Sequence, residues 1–267
     1  FSSEGPPVFW TYDEGGQMMS LPRIKADAEK ISGGDAGTTE RYTRWMNDDH
    51  RFYLRWFDKG ITEASARPES DSTVYEVRLL GVNHDDKADG TGKAGLTFQF
   101  VDCLDTAYAM SDSSSTGGGW PSSKLRSMLN AASGELYQEA PMDMLSAIEL
   151  VRKQSGTSWG SSTMVTTNDS FFLLSMREIW GQSTGSWTEG SRYPYYESAF
   201  FLTRPTPGEQ PLLMKNREGS SSGWWLRTIG STTFYKALGS IGACELDGEY
   251  GSTVPYLRTG VSPAFCL

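Results

Sequence analysis

The chain has 267 residues, with 33 Asp and Glu against 24 Lys and Arg, for a formal net charge of −9. That balance lacks the basic footprint a phosphate backbone requires, so a nucleic-acid groove is excluded, and the surplus charge favours solubility. No apolar run reaches the ~20 residues needed to cross a bilayer, which argues against direct membrane insertion.

Aromatic residues make up 12% of the chain and include nine Trp, while Gly numbers 29; a core of a few large rings inside a loop-rich fold is expected. The three cysteines, Cys103, Cys244 and Cys266, are too few and too scattered for a disulfide scaffold. The start at Phe1 reads as a processed or trimmed end.

Residues 1–20 carry Gly5-Pro6-Pro7 and Gly15-Gly16 and read as a linker or the end of an upstream segment, with one strand at Val8 to Tyr12. Pro22 to Ile31 predicts a helix, with Pro in its first turn and Gly33-Gly34 behind it. Arg41 to Phe57 alternates on both sides of Asn47-Asp48-Asp49. Phe52, Leu54 and Trp56 fall on one face, Arg51, Tyr53 and Arg55 on the other, as in a hairpin. Residues 21–72 are thus expected to form an N-terminal helix and hairpin module, followed by one domain over 73–267.

Thr73 to Val82 reads as a strand with Val77 and Leu79 inward and Glu76 and Arg78 outward; Leu96 to Val101 is another. Ser122 or Ser123 caps a short helix with Leu125, Met128 and Leu129 on one face. Pro141 starts a second helix, whose stripe is Leu145, Ile148 and Val151 and whose stop is Gly156. Phe171 to Leu174 predicts a short buried strand, and Ser175-Met-Arg-Glu178 a capping box opening a helix that ends at Gly181. Ser155 to Thr167 and Gly181 to Gly190 read as polar loops. The sum is an α+β fold of short strands, two main helices and long loops, rather than alternating βαβ units.

Three motifs resemble chemical sites without their context. Gly90-Thr-Gly-Lys-Ala-Gly95 fits the dinucleotide pattern, but strand-like Leu96-Thr-Phe-Gln-Phe100 follows it where a helix is required. Gly181-Gln-Ser-Thr-Gly185 fits the nucleophile elbow, yet a helix precedes it and both histidines, His50 and His84, lie upstream. Asn83 to Gly90 fails as an EF-hand, because Lys87 and Leu96 stand where carboxylates are needed. Asp85, Asp86 and Asp89 leave room for a looser cation site, but a turn tied by Asx side chains is the preferred reading. With no zinc spacing either, neither a metal nor a cofactor is expected.

Gly223 to Leu267 has fixed-looking ends, Gly-Trp-Trp-Leu-Arg and Gly-Val-Ser-Pro-Ala-Phe-Cys-Leu, around an irregular middle, the pattern of a display surface. Several segments occur in order: Asn83 to Phe98, Ala107 to Met110, Gly118 to Asn130, Asp169 to Gly181, Gly223 to Thr228 and Gly260 to Leu267. On these segments, residues 73–267 resemble a family of gut-bacterial and prophage proteins with a C-type-lectin-like fold, the variant also used by the formylglycine-generating enzyme. Many such proteins are variable proteins of diversity-generating retroelements, in which a reverse transcriptase miscopies adenines of a template repeat.

The resemblance implies a non-enzymatic, hypervariable protein on a phage tail or bacterial surface, outside the cell, binding a protein or glycan receptor on a bacterial surface. Its variable region would be about 224–267, and trimeric tail tips in the family point to a homotrimer. Trp224, Trp225, Leu226, Arg227, Gly260, Pro263 and Phe265 look like the fixed frame, with Arg227 able to pin carbonyls or an acidic partner. Tyr235, Ser240, Ile241, Cys244, Asp247, Tyr250, Ser252, Tyr256 and Arg258 look like display positions. Lys236, Glu245 and Glu249 cannot arise from a mutated Asn codon and need another template codon. Two alternatives stand beside this reading. One is a fixed glycan- or protein-binding surface domain, although Glu209-Gln-Pro211 and Trp45-Met-Asn-Asp48 only approach the motifs of calcium-dependent lectins. The other is a formylglycine-generating-type oxidase using Cys244 and Cys266, with Cys266 in an implausible place for an enclosed site.

Overall fold

Short apolar-rich runs from the two ends of the sequence meet in one sheet. The computed structural model describes residues 7–61, 68–181, 188–197, 213–230, 234–237, 252–253 and 255–267; at 234–237 and 252–253 only the backbone is described. The first half forms β1 (Phe9–Tyr12), β2 (Met18–Ser20), α1 (Leu21–Ser32), α2 (Ala36–Asn47), β3 (Arg51–Phe57), β4 (Ser72–Val82), β5 (Leu96–Phe100) and β6 (Tyr108–Ala109). Short helices follow, α3 (Lys124–Asn130), α4 (Glu135–Glu139) and α5 (Met142–Ala147), then β7 (Val151–Gly156), β8 (Met164–Asp169), β9 (Phe171–Phe172) and α6 (Met176–Trp180). The last stretch carries β10 (Asn216–Arg217), β11 (Ser220–Ser221), β12 (Trp224–Ile229), β13 (Phe234–Ala237), β14 (Ser252–Thr253), β15 (Arg258–Thr259) and β16 (Ala264–Cys266).

The principal sheet has seven antiparallel strands in the order β2-β1-β3-β4-β5-β16-β9, and the fold is α+β. Late-sequence β16 enters between β5 and β9, so Phe265 stands opposite Phe98 on one side and Phe171 on the other. A row of fully buried phenylalanines crosses the sheet. Ring centroids are 5.9 Å apart for Phe9–Phe52, 4.9 Å for Phe52–Phe98, 5.4 Å for Phe98–Phe265 and 6.0 Å for Phe171–Phe265. Offset and edge-on contacts of this kind add about 0.5–1.5 kcal/mol each beyond the area they bury.

Several local expectations hold. α1 carries Pro in its first turn and is capped by Gly33. Ser123 caps α3, accepting from Arg126 N. The Ser175–Glu178 capping box is formed, and Gly181 closes α6 in the left-handed conformation. The Asp89 carboxylate accepts from Thr91 N at 2.9 Å, making the expected Asx turn. Gly95 explains the glycine-rich run without a phosphate: a Cβ there would lie 2.1 Å from Ala28 O, so only glycine lets the loop touch α1.

Others are corrected. Residues 41–47 belong to α2, not to a hairpin arm. Asp35 caps that helix by accepting from Thr38 N at 2.7 Å, and Tyr42, Trp45 and Met46 bury at helical spacing. The alternation is genuine only over β3, which pairs with β1 and β4 in the main sheet. Residues 9–20, expected to be mostly linker, contribute β1 and β2. Arg78, expected outward, is buried at 5% exposure. The helix begun at Pro141 ends at Ala147; Val151 opens β7, which pairs with β8 through the supposed loop 155–167. The two longest helices among the described residues are therefore α1 and α2.

Candidate functional site

The Trp-Trp-Leu-Arg segment is β12, and Trp224, Trp225, Leu226 and Arg227 are each fully buried. Both indoles are satisfied, Trp224 Nε1 donating to Leu213 O at 3.0 Å and Trp225 Nε1 to Tyr108 O at 2.8 Å. Gly260, Pro263 and Phe265 are buried as well. The two ends of the region are fastened to each other: Trp225 N donates to Gly260 O at 3.0 Å and Gly260 N to Gly223 O at 2.9 Å. A Cβ on Gly260 would lie 2.6 Å from both Gly223 O and Cys103 Sγ, so the closeness of the strands requires glycine.

Arg227 does pin carbonyls and an acidic partner. Nη1 donates to Leu173 O at 2.8 Å, Nη2 to Glu189 O at 3.0 Å, and both nitrogens grip the Glu178 carboxylate. Glu178 Oε1 also accepts from Lys153 Nζ at 2.9 Å. Lys153 donates in turn to Asp85 Oδ1 at 2.5 Å and to Tyr193 OH at 2.9 Å. Two anions and two cations are thus buried together. Burial opposes the Asp85 carboxylate, but Lys153 and His84 outweigh it and hold the acid well below the usual range. Burial likewise opposes the charged forms of Glu178 and Lys153; Arg227 and Lys153 keep Glu178 low, while Asp85 and Glu178 keep Lys153 high. The cluster borders a cleft of about 470 Å³ that also includes His84, Asp86 and Arg152. With its charged groups partnered, it acts as a structural rivet.

Asp85, Asp86 and Asp89 do not converge on a cation. They are committed to Lys153, to Lys93 at 2.9 Å and to Thr91 respectively. Among the described residues no group of three or more His, Cys, Asp or Glu could hold a metal ion. Trp45 of the lectin-like run is a buried residue of α2, and 209–211 lie outside the described residues. Cys266, for all its late position, is fully enclosed; burial pushes its thiol far up, and burial pushes that of Cys103 up to about 12.

Of the display positions, Tyr256 is 50% exposed and Arg258 is exposed. β15, which carries Arg258, pairs with β6, and Ser111 N donates to Pro255 O at 3.0 Å. Tyr256 and Arg258 line a cleft of about 240 Å³ together with Asp112, Lys124 and Glu135. The backbones of Tyr235 and Ser252 face each other across β13 and β14. Ser240, Ile241, Cys244, Asp247 and Tyr250 lie outside the described residues, as do 182–187 of the loop after α6. Sequence reasoning missed the Lys153–Asp85–Tyr193 part of the rivet. Its signal was the alternation Val151, Lys153, Ser155 inward against Arg152 and Gln154 outward.

These features define an antiparallel α+β domain in which β12 and β16 are buried while Tyr256 and Arg258 line an exposed cleft. Residues 100–267 match the family described as Domain of unknown function (DUF6273), and the chain belongs to that family. Neither the curated proteins nor the solved structures include a match to this chain.

Proposed function

We propose that the chain is a ligand- or receptor-binding protein whose binding face is built by residues 229–258 on a C-type-lectin-like scaffold. The observation carrying this reading is the clamp. The side-chain hydrogen bonds of Trp224, Trp225 and Arg227 and the main-chain bonds of Gly260 go to residues outside 231–254, and β12 meets that segment through strand pairing with β13, which does not depend on side-chain identity, so substitutions there spare those hydrogen bonds. Tyr256 adds an exposed ring with a polar tip, a low-entropy binding group. In this reading the segment is diversified by retroelement mutagenesis, the protein is displayed on a phage tail or bacterial surface, and affinity for a bacterial protein or glycan receptor is raised by multivalent, trimeric display. An oxidase finds less support, because burial drives the Cys266 thiol away from the thiolate that metal binding needs.

Sequencing codons 223–267 across the source population, with the neighbouring DNA, tests the reading. Variation confined to adenine-templated codons within 229–258, beside a near-identical repeat, is expected. An invariant segment with no such repeat would overturn diversification and leave a fixed binding domain.

A further inference from the structure

Next to the Tyr256 cleft, and sharing Lys59 and Tyr108 with it, is a smaller cavity of about 120 Å³. Trp56, Tyr75 and Tyr108 form part of its wall, and Glu139, the last residue of α4, lines it as well. Glu139 is 3% exposed. Its Oε2 lies 3.4 Å from Trp56 Nε1, the Gly60 main chain adds a weak stabilising contact to the carboxyl, and Oε1 has no hydrogen-bond partner of ordinary geometry. A buried carboxylate oxygen with no donor is costly and calls for one.

The charge around it is mostly negative. Among the described residues, three carboxylates, Asp58, Asp105 and Glu139, line the cavity with one ammonium, that of Lys59. That ammonium is turned to the rim, 3.0 Å from Glu135 Oε1 and 5.8 Å from the Tyr108 ring centre, with its side chain 57% exposed. Aromatic faces attract cations as well, so walls and carboxylates favour the same guest. At the ~30 Å³ a water occupies, the volume holds roughly four non-hydrogen atoms.

We propose that this cavity is a binding site for the primary ammonium group of a small alkylamine, which donates to Glu139 Oε1 while the rings of Trp56, Tyr75 and Tyr108 pack around the cation. A quaternary ammonium has no N–H to give and does not meet the need of Oε1. The site lies wholly outside 229–258, so it stands or falls independently of that segment's role. Burial pushes Glu139 up to about 7, which makes the guest's affinity pH-dependent. The other charged groups facing it are Asp58, Lys59, Asp105 and Glu135, while burial pushes the Tyr75 and Tyr108 hydroxyls well up and keeps them neutral.

The test is an NMR titration of the full chain with n-propylammonium chloride, read at the Trp56 indole N–H, with tetramethylammonium chloride at matched ionic strength as control. Saturable binding of n-propylammonium near ~1 mM is expected at about pH 8, weakened about tenfold or more at about pH 5.5 and to a similar degree in Glu139→Gln. Tetramethylammonium should leave the indole signal unmoved. An equal response to both salts, or a response indifferent both to pH and to Glu139→Gln, would overturn the proposal. If Glu139→Gln does not fold, the pH comparison on the unaltered chain decides alone. Lys59→Met should bind as well as the unaltered chain or better; binding by Lys59→Met alone would also overturn the proposal, because Lys59 would then be the occupant.

Discussion

Trp225 and Gly260 are joined main chain to main chain, with the Trp225 N–H donating to the Gly260 carbonyl at 3.0 Å. The residues between them therefore leave from and return to one fixed point. The cost of closing such an excursion depends weakly on its length and not on which side chains it carries. A segment anchored in this way can change its surface while its ends stay in register.

Gly260→Ala tests the anchor. The added methyl meets Gly223 O and Cys103 Sγ, each 2.6 Å away, and Gly223 O is backbone that cannot swing aside. Destabilisation of about 1–3 kcal/mol is expected, read as a lowered urea midpoint. A midpoint within error of the unaltered chain would contradict the tight approach.

Arg227→Met leaves Lys153 as the one cation bonded to Glu178 among the described residues and opens the Leu173 and Glu189 carbonyls. A loss of ~3–5 kcal/mol is expected, as when one partner of a buried ion pair is removed. Combining it with Lys153→Met should cost less than the sum of the two, since both act through Glu178. Strict additivity in a double-mutant cycle would disconnect the cluster.

Tyr256→Ala and Arg258→Ala should behave oppositely. Both side chains are exposed, so stability should stay within about 0.5 kcal/mol of the parent while receptor binding falls. Thermal melts of the two variants, set beside their binding, separate display from packing; a large drop in melting temperature would make these residues structural.

The Glu139 carboxyl has a folded value of about 7 against an ordinary 4.5, and burial is the main cause. Between those values the folded chain holds a proton that the unfolded chain has released, so stability falls as pH rises through that window. Glu139→Gln removes the penalty, with an expected gain of up to ~3 kcal/mol at about pH 8 and none at about pH 4. Equal gains at both pH values would refute this assignment.

Cys103 and Cys266 should resist iodoacetamide in the native protein at neutral pH and react after unfolding, because burial both hides and neutralises their thiols. Peptide mass spectrometry of the two samples gives the comparison.

What the sequence disclosed was local. The Ser175–Glu178 box, the Ser123 cap and the Trp224–Trp225 pair all announce themselves within a turn or two of chain. Two periods were misread. Real alternation in β3 extended the pattern backward over Tyr42, Trp45 and Met46, which fit a helix better. Leu145, Ile148 and Val151 happen to lie on a helical stripe although the helix stops at Ala147. That second error hid Lys153 among supposed helix residues. The Arg227–Glu178 contact spans 49 positions, and no nearby residue marks a charge for a distant partner. Tyr256 and Arg258 could be proposed as display positions from the family resemblance, but the cleft they line needs β6 and α3 beside them in space.

The insertion of β16 between β5 and β9 sets the timing of folding. Residues 264–266 must find 97–99 before the middle of the sheet can close, so the decisive contact joins segments far apart in sequence and is slow to form. A frameshift or premature stop anywhere in 229–258 deletes that strand and leaves two open sheet edges, whereas a substitution there spares it. Folding is thus sensitive to the reading frame of 229–258 and tolerant of its individual residues: a chain that loses the frame loses the strand, and one that changes a single residue keeps it.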